Sequence, residues 1–262
     1  MYAPRGVWSV FAAYVLAFAT IVVFSVMAAA ALRGADPDLP DEAVLGGLPG
    51  LLAGGAASAL ALLVTVMIVA RPLSAPALRL VPGRESGVTL AVTVVGMLAL
   101  GQMLDSLATL AGFADSGSMA AIRRALTGAV GPDLFASVIV IGVLAGAAEE
   151  VFFRGYMQTR LREHWGPATA VLVTSACFGI LHLEWLHALL AFVLGCYLGF
   201  IVEQSGSALP AVVGHVVNNT VFTLATARLP LLTATWPNVC LTMAGALVVV
   251  GCVLWLRRAL RA

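Results

Sequence analysis

From Val7 to Leu32 no residue carries a charge, and runs of the same character recur along the rest of the chain. A helix needs about 20 predominantly apolar residues to cross the hydrocarbon core of a bilayer. Eight segments meet that ruler: Val7 to Leu32, Val44 to Ala70, Val88 to Phe113, Leu134 to Met157, Pro167 to Leu183, Trp185 to Val202, Leu209 to Ala225 and Leu231 to Leu256. Lipid offers no partner for a backbone N–H or C=O, so runs this long are expected to be helical. The expected fold is all-α, a polytopic membrane bundle of about eight transmembrane helices. Composition excludes the soluble alternative. The chain is 61% hydrophobic and 10% charged with a mean hydropathy of +1.02, against about 45–50% apolar and about 25% charged in soluble domains. The first run is longer than the roughly 7–15 residues of a signal-peptide core, and reads as a span that is kept.

Basic residues collect in cytoplasmic loops and so set the orientation. With the N-terminus inside, Arg5, Arg71, Arg79, Arg84, Arg154, Arg160, Arg162, Arg257, Arg258 and Arg261 lie on inner segments, and Arg33, Arg123, Arg124 and Arg228 on outer ones. This asymmetry places both termini in the cytoplasm. All fourteen basic residues are Arg, which points to a GC-rich coding sequence and to a bacterial inner membrane. The formal charge of +1 carries no concentrated basic face, so the partners expected are the lipid bilayer and a peptide or protein substrate, with no nucleic acid. Cys177, Cys196, Cys240 and Cys252 lie in apolar stretches and form no CxxC pair, which reads as core packing rather than a disulfide or thiolate zinc framework. Gly142 and Gly146, and again Gly195 and Gly199, are spaced as GxxxG, a spacing that lets helices approach closely.

Ionisable residues inside apolar spans cost about 2.5–3.5 kcal/mol each on insertion scales, so each one is a functional candidate. The second half of the chain gathers them in Glu149-Glu150-Val-Phe-Phe-Arg154, Phe178-Gly-Ile-Leu-His182 and His215-Val-Val-Asn218-Asn219. Neighbouring helical positions point about 100° apart, so Glu149 and Glu150 are expected to do different jobs. Glu150 and Arg154 have the favourable i, i+4 order for an ion pair, which leaves Glu149 as the carboxylate for chemistry. His182 and His215 can orient a water or bind a metal, and Asn219 can donate to a developing oxyanion. His164, between Glu163 and Trp165, and His187, close to Trp185, read as residues of interfacial loops. The depths constrain the site: Glu149 lies about 20 Å from the Arg162 end of its helix and His182 about 24 Å beyond Gly166. His215 is only about 9 Å beyond Leu209. The segment Gln204 to Pro210 is therefore expected to dip into the bundle.

These three motifs resemble the EExxxR, FxxxH and HxxxN motifs of the CPBP family, the CAAX protease and bacteriocin-processing (Abi) intramembrane proteases that include the type II CAAX prenyl endopeptidases. The resemblance covers Leu134 to Ala225. It divides the bundle into motif-free N-terminal helices (1–133), a catalytic core (134–227) and a C-terminal helix with its tail (228–262). It implies an intramembrane endopeptidase in which Glu149 activates water, His182 positions it, and His215 and Asn219 stabilise the tetrahedral intermediate. Glu150, Arg154 and Phe178 would support them. The family has been read both as metalloproteases and as metal-free glutamate enzymes; zinc or another divalent metal would take His182, His215 and Glu149 as ligands. Two readings of other classes use the same residues: a proton- or ion-coupled transporter, and a non-catalytic bacteriocin-immunity protein. Paired repeats with interrupted helices would favour the transporter, but the first half of this chain is nearly free of ionisable residues within its spans.

Single cysteines introduced at Gly83 and Asp38 are expected to label from opposite sides of the membrane. Equal accessibility from outside would overturn the orientation.

Overall fold

The computed structural model describes residues 6–260, so Arg5 and Arg261 of the orientation argument lie outside the described residues. The chain folds into nine helices, with no strand among the described residues: α1 (Val7–Ala35), α2 (Asp41–Val69), α3 (Gly87–Leu110), α4 (Gly117–Leu126), α5 (Gly131–Leu161), α6 (Pro167–Ile180), α7 (Trp185–Ser205), α8 (Leu209–Arg228) and α9 (Thr235–Ala259). Six of them, α1, α2, α3, α5, α7 and α9, are long and apolar enough to cross a bilayer. The other two expected spans are α6, a shorter apolar helix, and α8, whose run of His215, Asn218, Asn219 and several threonines lowers its hydropathy. Helix starts follow local chemistry. Ser86 and Thr89 form a reciprocal capping box at α3, and prolines occupy the first turns of α6 and α8.

α5 is the hub, packing against α2, α6, α7 and α8, while α1 lies on α2 and α9 on α3. Phe152 to Gln158 are all buried, which is what a helix surrounded on every side requires. The helix is not regular: it widens to π geometry over Val138–Ala145 and again over Val151–Gln158, on either side of Gly146–Glu150. Such widened turns often accompany functional sites. Here side chains find the backbone carbonyls of these turns: Asn219 Nδ2 donates to Ile141 O at 3.4 Å and Thr159 Oγ1 to Arg154 O at 3.0 Å.

Both glycine pairs bring a helix against α5. A Cβ at Gly142 would strike Thr220, and one at Gly146 would press on Val216, both on α8. On α7 a Cβ at Gly195 would lie 3.0 Å from Arg154 Nη2, and one at Gly199 would lie 2.8 Å from Gln158 Oε1. That closeness is used for bonding: Arg154 Nη2 donates to Gly195 O at 3.0 Å, and Gln158 Nε2 to Gly199 O at 3.1 Å.

α6 stops short of the expected span. At 14 residues it is about 21 Å long and does not cross a hydrocarbon core of about 30 Å. Leu183 takes a left-handed conformation (φ 63°), and Glu184 caps α7 by accepting from the N–H groups of Leu186 and His187. His182 therefore sits in a turn rather than on a helix. The recessed start expected for α8 is present. Ser207, Ala208 and Pro210 are buried beneath the segment 79–84, whose Arg79 O accepts from Ala208 N and whose Arg84 N donates to Ser205 O, both at 2.8 Å.

Gly199→Leu is expected to lower stability by about 1–3 kcal/mol through overpacking, read as a lower Tm in detergent. Gly251→Ala, where a Cβ meets nothing within 4 Å, should leave Tm unchanged or raise it.

Candidate active site

The site is built outward from one pair on α5. Glu150 and Arg154 have fully buried side chains, and Arg154 Nη1 donates to Glu150 Oε1 at 2.6 Å. The guanidinium also reaches the Gly195 carbonyl and lies over the Phe178 ring, with Cζ 4.7 Å from the centroid. A buried pair is favourable only when its remaining hydrogen-bonding capacity is met. Three helices meet most of it here: α7 through Gly195, α6 through Phe178 and α8 through His215, whose Nδ1 lies 2.8 Å from Glu150 Oε1.

That last contact sets the chemistry of His215. Glu150 only accepts, so Nδ1 carries the proton and Nε2 is the nitrogen left for other partners. Nε2 lies 3.6 Å from Glu149 Oε2, too far for a direct hydrogen bond, so both atoms keep capacity for a shared third partner. Glu149 is the more open carboxylate, its side chain 20% exposed against 0% for Glu150. The two adjacent acids thus differ in environment. One is locked between a guanidinium and an imidazole, while the other is turned to the open part of the site.

Asn219 and Asn218 turn to different helices, although Asn218 Nδ2 donates to Asn219 Oδ1 at 3.4 Å. Asn219 reaches α5 at Ile141 O, whereas Asn218 is buried against α3, where a Cβ on Gly101 would meet its Oδ1. His182 is joined to the cluster through Phe178. Its Nδ1 lies 2.9 Å from Phe178 O, and Phe178 sits edge-on to both imidazoles, 5.0 Å from the His182 centroid and 5.9 Å from that of His215. The carbonyl can only accept, so His182 also keeps Nε2 for another partner. The structure thus gathers Glu149, Glu150, Arg154, Phe178 and His215 in one contact network, with His182 one ring away and Asn219 on the next turn of α8.

A zinc site with an open position asks for three converging donors. Each histidine keeps one nitrogen, but among the described residues no three His, Cys, Asp or Glu side chains converge as a ligand set. The donors in this arrangement do not fit a bound zinc.

Several residues escaped the sequence reading. His187 is not a loop residue but lies in the first turn of α7, its ring centroid 4.2 Å from that of His182. Glu184 escaped because its role is a cap, legible only once the turn at Leu183 is known. Amide donors, that of Leu186 first, hold its carboxyl below the usual range. Gln158 continues the Glu150 and Arg154 spacing by another four residues, a signal present in the sequence. It donates to Glu203 Oε1 at 3.0 Å, and Glu203 also accepts from Arg79 (3.0 Å) and Arg162 (2.8 Å).

Residues 131–221, about a third of the chain, match a family model described as type II CAAX prenyl endopeptidase Rce1-like. The match spans all three motifs. No curated protein and no solved structure matches the chain.

Removing Arg154 leaves a buried carboxylate without its counter-charge, a defect of about 3–5 kcal/mol. Arg154→Met is expected to lower stability by that order in detergent unfolding. The double variant Glu150→Gln/Arg154→Met should recover part of the loss, and a double variant less stable than the single one would contradict this account of the pair.

Proposed function

We propose, with residues 131–221 belonging to the Rce1-like type II CAAX prenyl endopeptidase family as the premise, that this chain is an intramembrane endopeptidase acting through a glutamate-activated water. An integral membrane bundle of apolar helices agrees with that reading. The observation that carries the mechanism is the pairing of Glu149 Oε2 with His215 Nε2 at 3.6 Å, with His215 fixed from behind by Glu150. A carboxylate oxygen that accepts, partly open, and an imidazole nitrogen that accepts when neutral and donates once protonated form, at that separation, a cradle for a water.

Glu149 takes a proton from this water as the oxygen adds to the scissile carbonyl carbon. His215, its Nδ1–H committed to Glu150, presents Nε2–H when protonated to the developing oxyanion, and the Asn219 amide donates beside it. His182, through the nitrogen that Phe178 O leaves free, orients the water. Collapse of the tetrahedral intermediate breaks the C–N bond, and Glu149 returns its proton to the leaving amine. The substrate is a membrane-associated peptide, with prenylated Cys-a-a-X-like C-termini as the first class to try, cut near the cytoplasmic face of a bacterial plasma membrane.

The test is incubation of the purified protein with membrane peptides, farnesylated Cys-a-a-X sequences included, with mass spectrometry of the new ends. Glu149→Gln is expected to abolish cleavage in a folded protein. Asn219→Ala should lower kcat about 10²–10³-fold with KM nearly unchanged, and Asn218→Ala should stay within about tenfold of native turnover. An active Glu149→Gln protein beside a folded but inactive Glu150→Gln protein would reverse the two carboxylates. Absence of cleavage across the peptide set would count against the protease reading itself.

A further inference from the structure

Among the motif residues, His182 is the one that lies outside a helix. It lies in the turn after α6, next to Leu183 in its left-handed conformation. Its Nδ1 is tied to Phe178 O, and one side of its ring meets Phe178. The His187 ring, 4.2 Å away and inclined at 55°, provides a further contact.

His187 is itself anchored. Its Nδ1 lies 3.2 Å from Ser118 Oγ, and Ser118 Oγ donates to Glu184 Oε2 at 3.4 Å. The serine has one hydroxyl proton, and the carboxylate can only accept it. Nδ1 of His187 is therefore the donor to Ser118, and the relay runs in one direction: His187 Nδ1–H to Ser118 Oγ–H to Glu184. Glu184 is fixed in turn by the Leu186 and His187 amides at 2.9 and 3.1 Å. Ser118 belongs to α4, outside the segment that the family model matches. Its approach depends on Gly117, at φ +71°, where a Cβ would lie 3.0 Å from Glu184 Oε2.

We infer that His187 is a positioning residue for His182, held by Ser118 and Glu184, so that helix α4 completes the site from outside the motif-bearing segment. This rests on the protease reading only where it assigns His182 the water; the geometric link between the rings stands by itself. A side chain on a turn gains most from such a link, because a displacement of about 1 Å in a catalytic group can cost about 10²-fold in rate.

The test combines cleavage kinetics with ¹⁵N-histidine NMR of the full chain in detergent, feasible because the chain has four histidines. Native His182 is expected in a single Nδ1-protonated tautomer. His187→Ala should broaden or shift its ring nitrogens and lower kcat about 10- to 100-fold, with KM changed less than about twofold. His187→Phe keeps a ring against His182 but loses the bond to Ser118, and should recover only part of the turnover, to about the level of Ser118→Ala, which also separates positioning from misfolding. Ser118→Ala should reduce kcat in the native background and add nothing to His187→Phe, whereas Ser118→Thr should retain native turnover; additive losses would contradict the relay. Unchanged His182 signals in a folded His187→Ala protein would overturn the inference, as would unchanged kcat. If the native protein cleaves no peptide while the His182 signals respond as described, the protease reading falls and the positioning role stands.

Discussion

A carboxylate and a guanidinium that share no contact with solvent, four residues apart on a central helix, constrain everything packed around them. Each ion taken alone from water would cost several kcal/mol, and their attraction offsets this only where the other donors and acceptors are satisfied. Glu150 and Arg154 meet that condition in large part by recruiting one group from each of three neighbouring helices: the Gly195 carbonyl from α7, the Phe178 ring from α6 and the His215 imidazole from α8, while Glu150 Oε2 and Arg154 Nε find no hydrogen-bond partner among the described residues. The convergence of α6 and α8 on α5 therefore has an electrostatic cause as well as an apolar one. His215 faces Glu149 because Glu150 holds its other nitrogen.

What the sequence made legible was local. The apolar runs announced an all-helical membrane bundle, and the i, i+4 spacing announced the Glu150 and Arg154 pair, because both depend on residues within one helix. The recessed start of α8 was also readable, from the shallow position of His215. The nature of α6 was not: its apolar run continues to Leu183, and the break comes from the left-handed residue and the Glu184 cap, neither of which interrupts hydropathy. The closeness of His187 to His182 escaped for the same reason, since a regular helix through the run would have carried the two rings apart. Nor did helical periodicity foretell the π turns of α5, which depend on how neighbouring side chains engage the widened carbonyls.

The helices without motifs are tied to the site by single polar contacts rather than by broad chemistry. Tyr14 of α1 donates to the Cys177 carbonyl at 2.9 Å, one residue before Phe178. Arg79, in the segment between α2 and α3, binds Glu203 and covers the entry to α8. Tyr197 of α7 donates to Thr93 of α3 at 3.0 Å. The first two contacts fix elements that carry motif residues and the third fixes α7, the partner of α5, which gives the first half of the chain a place in the architecture despite its scarcity of ionisable groups.

The two carbonyls that α7 offers to α5 have a mechanical consequence. Gly195 and Gly199 are four residues apart, as are Arg154 and Gln158, so the two helices are meshed like a rack and its pinion. A slip of one residue would break both bonds together and leave a guanidinium and an amide stranded in an apolar interior. α5 and α7 are therefore locked in one register, and any breathing that admits a peptide falls to elements not meshed in this way.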